Sequence, residues 1–174
     1  MDKKHALEVL KYSFSVHLLK SLIYSVGYYI HERVAWRGAI HRKKSARIHA
    51  TASIRNAHNV YVGENSHINH QCCIWAGDKS KIVLGDNLLM GPGVKMFAGN
   101  HGTKKGIPMN QQPREEKDII IGNDVWLGAG VVVLGGVEIA DGVIVAAGSS
   151  VTRPIKEENA IIGGNPAEIK GYRR

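Results

Sequence analysis

A chain of 174 residues with 20 glycines and only 6% aromatics has room for one core-bearing domain, and its profile suits a repetitive β architecture better than a helix bundle. Its net charge of +8 is uneven: residues 1–60 hold 11 Lys/Arg against 3 Asp/Glu, while residues 61–174 hold 12 of each. No zinc-finger spacing or aromatic ribonucleoprotein motif accompanies the basic region, so nucleic acid is not expected as a partner. Adjacent Cys72 and Cys73 make neither a disulfide framework nor a metal-type C-x-x-C, which fits a reducing cytoplasm.

Residues 1–46 read as a basic, helical segment. Leu7, Leu10, Phe14, Leu18, Leu22 and Val26 recur at helical spacing, predicting one or two amphipathic helices. The run from Tyr12 to Ile30 is long enough to span a bilayer but is interrupted by His17, Lys20 and Gly27. Packing on the main domain is the default expectation. Assembly, or peripheral contact with the inner membrane surface, is the alternative.

Residues 47–174 read as one β-helix domain with a protruding loop. From Ile48 to Val151 an aliphatic residue returns every six positions, with a two-residue slip before Val62 and longer excursions before Leu84 and Ile121. Ile48 and Ile54 open the series; Val62, Ile68 and Ile74 follow, then Leu84, Met90 and Met96. The cleanest stretch is Ile121, Leu127, Val133, Ile139, Val145 and Val151. Four places after these aliphatics stand Ala52, Ser66, Cys72, Val94, Val125, Val131, Val137, Val143 and Ser149. Neither a helical period nor simple alternation gives a sustained step of six. A coil of short strands does, with three units closing a triangular turn.

The register breaks at length between Met96 and Ile121, predicting a loop protruding over about 97–118. Past Val151, Asn165-Pro166 marks a turn, and Ala167 to Lys170 is expected to start a short C-terminal helix. His101, in Asn100-His101-Gly102, stands where the coil departs into the loop. Histidine is a natural base for removing a hydroxyl or amine proton during acyl transfer.

The segments IIIGNDVWLGAGVVVLGGVEIADGVIVAAGSSVTRPI and IIGGNPAEIK, with NHG and a loop containing I-P-M, resemble the hexapeptide-repeat acetyltransferases. That family includes galactoside, maltose and nodulation-factor O-acetyltransferases, streptogramin acetyltransferases and enzymes that modify capsule or O-antigen. The resemblance covers roughly residues 48–172 and is far more specific in the second half. It implies an all-β fold, a single-stranded left-handed parallel β-helix, assembled as a homotrimer with acetyl-CoA as co-substrate in clefts between subunits.

By the same resemblance His101 is the general base of a direct transfer in a ternary complex, with no acyl-enzyme. Asn69 and Asn100 fall near the acceptor. Trp126 lines the thiol end of the cofactor cleft, Ala129 and Ala147 meet the pantetheine amides, and Thr152 and Arg153 lie near the adenosine and phosphates. Arg153 replaces a family lysine, keeping charge but changing geometry. Lys170, Arg173 and Arg174 read as a solvated tail or as further phosphate contacts. Metal is not expected: His67 and His70 are three apart, and no His-x4-His exists.

The loop pattern is closest to enzymes that acetylate sugars of surface polysaccharides, giving a sugar or glycan acceptor. A streptogramin-type drug or an amino sugar remains an alternative acceptor, and a non-catalytic solenoid scaffold is the alternative of another class.

Overall fold

The computed structural model describes residues 2–174. Short parallel strands stack into three sheets, the faces of a left-handed triangular β-helix. Face A holds His41–Arg42, Val60–Val62, Ile82–Leu84, Ile119–Ile121 and Glu138–Ile139. Face B runs from Arg47–Ile48 through His67–Ile68, Leu89–Met90, Trp126–Leu127 and Ile144–Val145 to Ala160–Gly164. Face C holds Ser53–Arg55, Cys73–Trp75, Lys95–Phe97, Val132–Leu134 and Ser150–Val151. The first coil strand, His41–Arg42, pairs with Val60–Val62 and so lies ahead of residue 47.

The six-residue period is the core. Every aliphatic of the series after Ile48 is buried, and the companions Ala52, Ser66, Cys72, Val94, Val125, Val131, Val137, Val143 and Ser149 fill the interior between them. Each fully buried Val, Leu or Ile contributes about 1.5–3 kcal/mol. Cys72 is interior filler beside Ile74, and burial raises its thiol pKa, an effect larger than the opposing hydrogen bonds from neighbouring backbone. Between strands the chain turns through left-handed residues: Asn65, Asn87 and Asp124 stand at the corner leading into face B, each with φ between 52° and 57°. Asn and Asp tolerate that conformation best among residues with a side chain.

Helix α1, Lys3–Tyr12, and helix α2, Val16–Arg33, confirm the helical periodicity at the N-terminus. They do not pack on the coil as expected. Glu32 is the one buried residue in the two helices, and their apolar side chains face outward. The physical reason is geometric: α2 meets the coil only through its last turn, beside Ser53–Arg55. The rest of the arm runs clear of any apolar wall.

The predicted C-terminal helix is absent. After the turn at Asn165-Pro166, residues Ala167–Tyr172 form a strand antiparallel to Ala160–Gly164. The last strand of face B presents unpaired N–H and C=O groups, and one turn of helix is too short to be stable by itself. Pairing on that edge wins. Arg173 meets Asp124, 2.7 Å away, and the Gly142 carbonyl at the end of this strand.

Candidate active site

The break in the repeat is a hairpin. Strand Gly99–His101 leaves the coil after Lys95–Phe97 and pairs antiparallel with Arg114–Glu116, setting His101 opposite Arg114. The neck closes where Lys117 N–H donates to Ala98 O at 2.8 Å, after which the chain rejoins face A at Ile119. Inside the tip, buried Gln112 acts as a clamp: its Oε1 accepts from Lys104 N–H at 2.8 Å, and its Nε2 donates to the Lys104 and Ile107 carbonyls. Gly102 fits against this amide, since a Cβ there would lie 2.7 Å from Gln112 Oε1. The loop following His101 is therefore internally bonded.

His101, Arg114 and Glu116 form one wall of a pocket of about 500 Å³. Its floor is the outward column of face C, where Arg55, Trp75 and Phe97 are in register. Trp75 meets Phe97 edge to face, with centroids 5.3 Å apart. The opposite wall is the root of the arm: His31, Ala35, Trp36 and Ala39. Buried Trp36 Nε1 has no hydrogen-bond partner among the described residues. Glu116 holds its own wall in place by accepting from Lys79 N–H at 2.6 Å.

Arm and floor are locked together by Glu32. Its carboxylate accepts from Ser53 Oγ at 2.5 Å and from Arg55 Nη2 and Nε at 2.6 and 2.9 Å. Arg55 lies flat on the Trp75 ring, and Trp75 Nε1 donates to Ser53 Oγ at 3.0 Å, closing the ring of contacts. Burial pushes the Glu32 pKa up, but hydrogen bonds from Ser53 and Arg55, with the Arg55 and His31 charges, outweigh it and hold the carboxyl below its usual range.

The sequence-nominated residues fall in two groups. His101 and Asn100 lie on the hairpin at the edge between faces C and A; Thr152 and Arg153 are exposed on that same edge, two coils on. Ala129 and Ala147 stack on the edge between faces B and C, where Ala129 O accepts from Gly148 N–H at 2.8 Å. Asn69 is on this edge too, level with Gly91, its Oδ1 accepting from His70 N–H at 2.8 Å. Trp126 projects from face B, half exposed, between Leu89 and Ile144. Within one chain the Trp126 group does not meet the His101 pocket. A cleft containing both requires a second wall.

Sequence reasoning missed the pocket's floor and far wall: Arg55, Trp75, Phe97, Arg114, Glu116 and Trp36. A signal existed for the floor alone, since Arg55, Trp75 and Phe97 each follow an inward aliphatic, Ile54, Ile74 and Met96, and so must face outward. Among the described residues no group of three His, Cys, Asp or Glu side chains converges as a metal site.

Residues 118–153 match the bacterial transferase hexapeptide (six repeats) family. The galactoside O-acetyltransferase of Escherichia coli K12 is 32% identical over 116 residues, covering 64% of this chain and 53% of that protein. The chain spans about half the length of the curated relatives it matches. A maltose O-acetyltransferase from Clostridium difficile 630 superposes with a TM-score of 0.74 at 25% identity, covering 94% of this chain and 91% of that one. A galactoside acetyltransferase in complex with coenzyme A gives 0.68 at 27% identity, covering 76% and 64%. Repeat, coil and similarity together make this chain a hexapeptide-repeat protein with the fold of the hexapeptide-repeat acetyltransferases.

Proposed function

We propose that the chain is an acetyl-CoA-dependent O-acetyltransferase whose acceptor is a sugar hydroxyl of a surface polysaccharide or its precursor. The observation that carries this reading is the pocket in which His101 faces an aromatic and cationic floor. A sugar presents apolar ring faces and hydroxyls, and Trp75, Phe97, Arg55 and Arg114 offer partners for both. Support for the acyl donor comes from the galactoside acetyltransferase solved with coenzyme A and from the Ala129–Ala147 edge, whose short side chains leave backbone open to a pantetheine chain. Trp126, Thr152 and Arg153 would extend that contact to the thiol and phosphate ends.

In this mechanism His101 takes the proton from the acceptor hydroxyl as its oxygen attacks the thioester carbonyl. The new C–O bond forms, the C–S bond breaks, and the departing thiolate recovers a proton. Asn100 and Asn69 orient the acceptor and the reacting centre. Because Trp126 and His101 lie on different sides of one coil, the working unit is a homotrimer in which each cleft takes one wall from each of two chains. A cytoplasmic location, with peripheral contact between the basic arm and the inner membrane surface, belongs to the same reading.

The test is thiol release from acetyl-CoA with a panel of sugars, for the wild type and for His101→Ala. Loss of a general base lowers kcat by about 10²–10⁴, with CoA affinity by calorimetry nearly unchanged. A variant that retains most of its turnover overturns the assignment and favours the scaffold.

A further inference from the structure

We infer that α1 and α2 form an interfacial arm that docks on an anionic bilayer surface. The two helices bury no apolar side chain, and most of the large exposed apolar side chains of the chain lie between Leu7 and Val34. They are sorted by face. At 100° per residue, Leu18, Leu19, Leu22, Ile23, Val26 and Ile30 share one half of α2, with Arg33 at its C-terminal end, while His17, Lys20, Tyr24 and His31 occupy the other. In α1, Ala6, Leu7 and Leu10 lie on one side, with Lys3 at its N-terminal end, and Lys4, Glu8 and Lys11 on the other. So many exposed apolar side chains gathered on one half of a helix mark an interaction site.

Charge selects the occupant. Of the three acidic residues in the arm, Asp2 caps α1 by accepting from His5 N–H at 2.8 Å, and Glu32 is buried against Arg55. Glu8 alone stands free against Lys3, Lys4, Lys11, Lys20 and Arg33, with Arg42, Lys43 and Lys44 just beyond. A second copy of the arm would bring like charges together. An anionic headgroup layer neutralises them and receives the apolar half at the acyl boundary. No helix of the described residues is long and apolar enough to cross a membrane, so the arm lies in the plane. The Glu32–Arg55 contact ties its root to the floor of the His101 pocket. Docking thus holds that pocket at headgroup level, a consequence for the acceptor that rests on the proposed acetyl transfer.

The experiment uses the full chain and flotation with vesicles of phosphatidylcholine, with or without phosphatidylglycerol. The protein is expected to float with phosphatidylglycerol vesicles only and to be released by added salt. Leu22→Asp with Ile23→Asp should abolish flotation. Lys4→Gln with Lys11→Gln should weaken it by about fivefold for each basic side chain removed. Because these side chains are exposed, far-UV circular dichroism of the coil should not change. Equal flotation on phosphatidylcholine alone, or on neither vesicle, overturns the inference. So does a fall in lipid-free oligomer mass in Leu22→Asp/Ile23→Asp with vesicle binding retained, which assigns the face to another copy. Thiol release with soluble sugars, measured without lipid, fails or succeeds independently of flotation and separates this inference from the enzymatic reading.

Discussion

Glu32, in the last turn of α2, and Arg55, on the first strand of face C, share one carboxylate oxygen at 2.6 and 2.9 Å. This pair is the point where the arm becomes part of the coil: Arg55 belongs to the pocket floor, and Glu32 holds it from behind. Arg55 is partly exposed while Glu32 is not, so removing the carboxylate leaves a cation that water can still reach. Removing the guanidinium strands a buried anion.

Glu32→Ala is therefore expected to loosen the arm root by about 1–3 kcal/mol without unwinding the coil. Hydrogen exchange read by mass spectrometry should rise over residues 31–40 and stay constant in the strands of faces A, B and C. Uniform deprotection of the coil would show that the arm supports the whole fold.

The same carboxylate sets a pH dependence. Its native pKa lies below its unfolded value, so its contribution is complete above the ordinary carboxylate range, near about 4.3, and is lost as pH falls through the lowered native value. The protection that distinguishes wild type from Glu32→Gln at neutral pH should vanish in that acid window. A difference that persists at the lowest pH would mean the ion pair is not its source.

Leu127 is fully buried at the centre of face B, paired to Met90 and Val145. Leu127→Ala should cost about 2–5 kcal/mol, measured by urea titration with circular dichroism. Trp126→Ala, one residue away and half exposed, should cost much less in the same titration while weakening CoA binding. Equal losses would place the indole in a packed interface rather than an open cleft.

Ala147 is exposed beside Gly128, where a Cβ would lie 2.5 Å from Ala147 N. Replacing Ala147 with Leu should add bulk outside the coil without disturbing this backbone approach. CoA affinity by calorimetry is expected to fall at least tenfold, equivalent to about 1.4 kcal/mol, with β content unchanged. Unaltered affinity would put the acyl donor on another edge.

A working cleft with two walls implies a trimeric mass in light scattering, and a monomer at micromolar protein would remove the proposed site. Trp126, Leu89 and Ile144 form an outward apolar row on face B, which supplies a surface for such contact.

The interior was legible because it repeats. A side chain at each sixth place has no freedom in a stacked coil, so Ile121 to Val151 announce both their burial and their register. Ala129 and Ala147 were nominated by resemblance alone; the stacked coil puts them on one edge, where Gly148 N–H donates to Ala129 O. The pocket was not legible, because its walls come from chain segments far apart in sequence: Trp36 from the arm, Trp75 from an early coil and Arg114 from the hairpin. Nothing local joins them. Ala167 to Lys170 misled for a related reason: a free sheet edge decided their conformation, and such an edge exists only after the coil has formed.

The neck of the hairpin, closed between Lys117 and Ala98, separates two inheritances. The coil below it is constrained by stacking, coil upon coil, and tolerates few changes. Above it the segment between Gly99 and Glu116 is held chiefly by its own bonds, those of Gln112 foremost, and at its base by Glu116 accepting from Lys79 N–H. Loop closure depends weakly on length, with each doubling costing only about 0.6 kcal/mol. Tips of other lengths and sequences can therefore be grafted at this neck while the strands beneath keep their alignment. The hairpin is the part of the molecule through which a lineage could acquire a new acceptor without redesigning its scaffold.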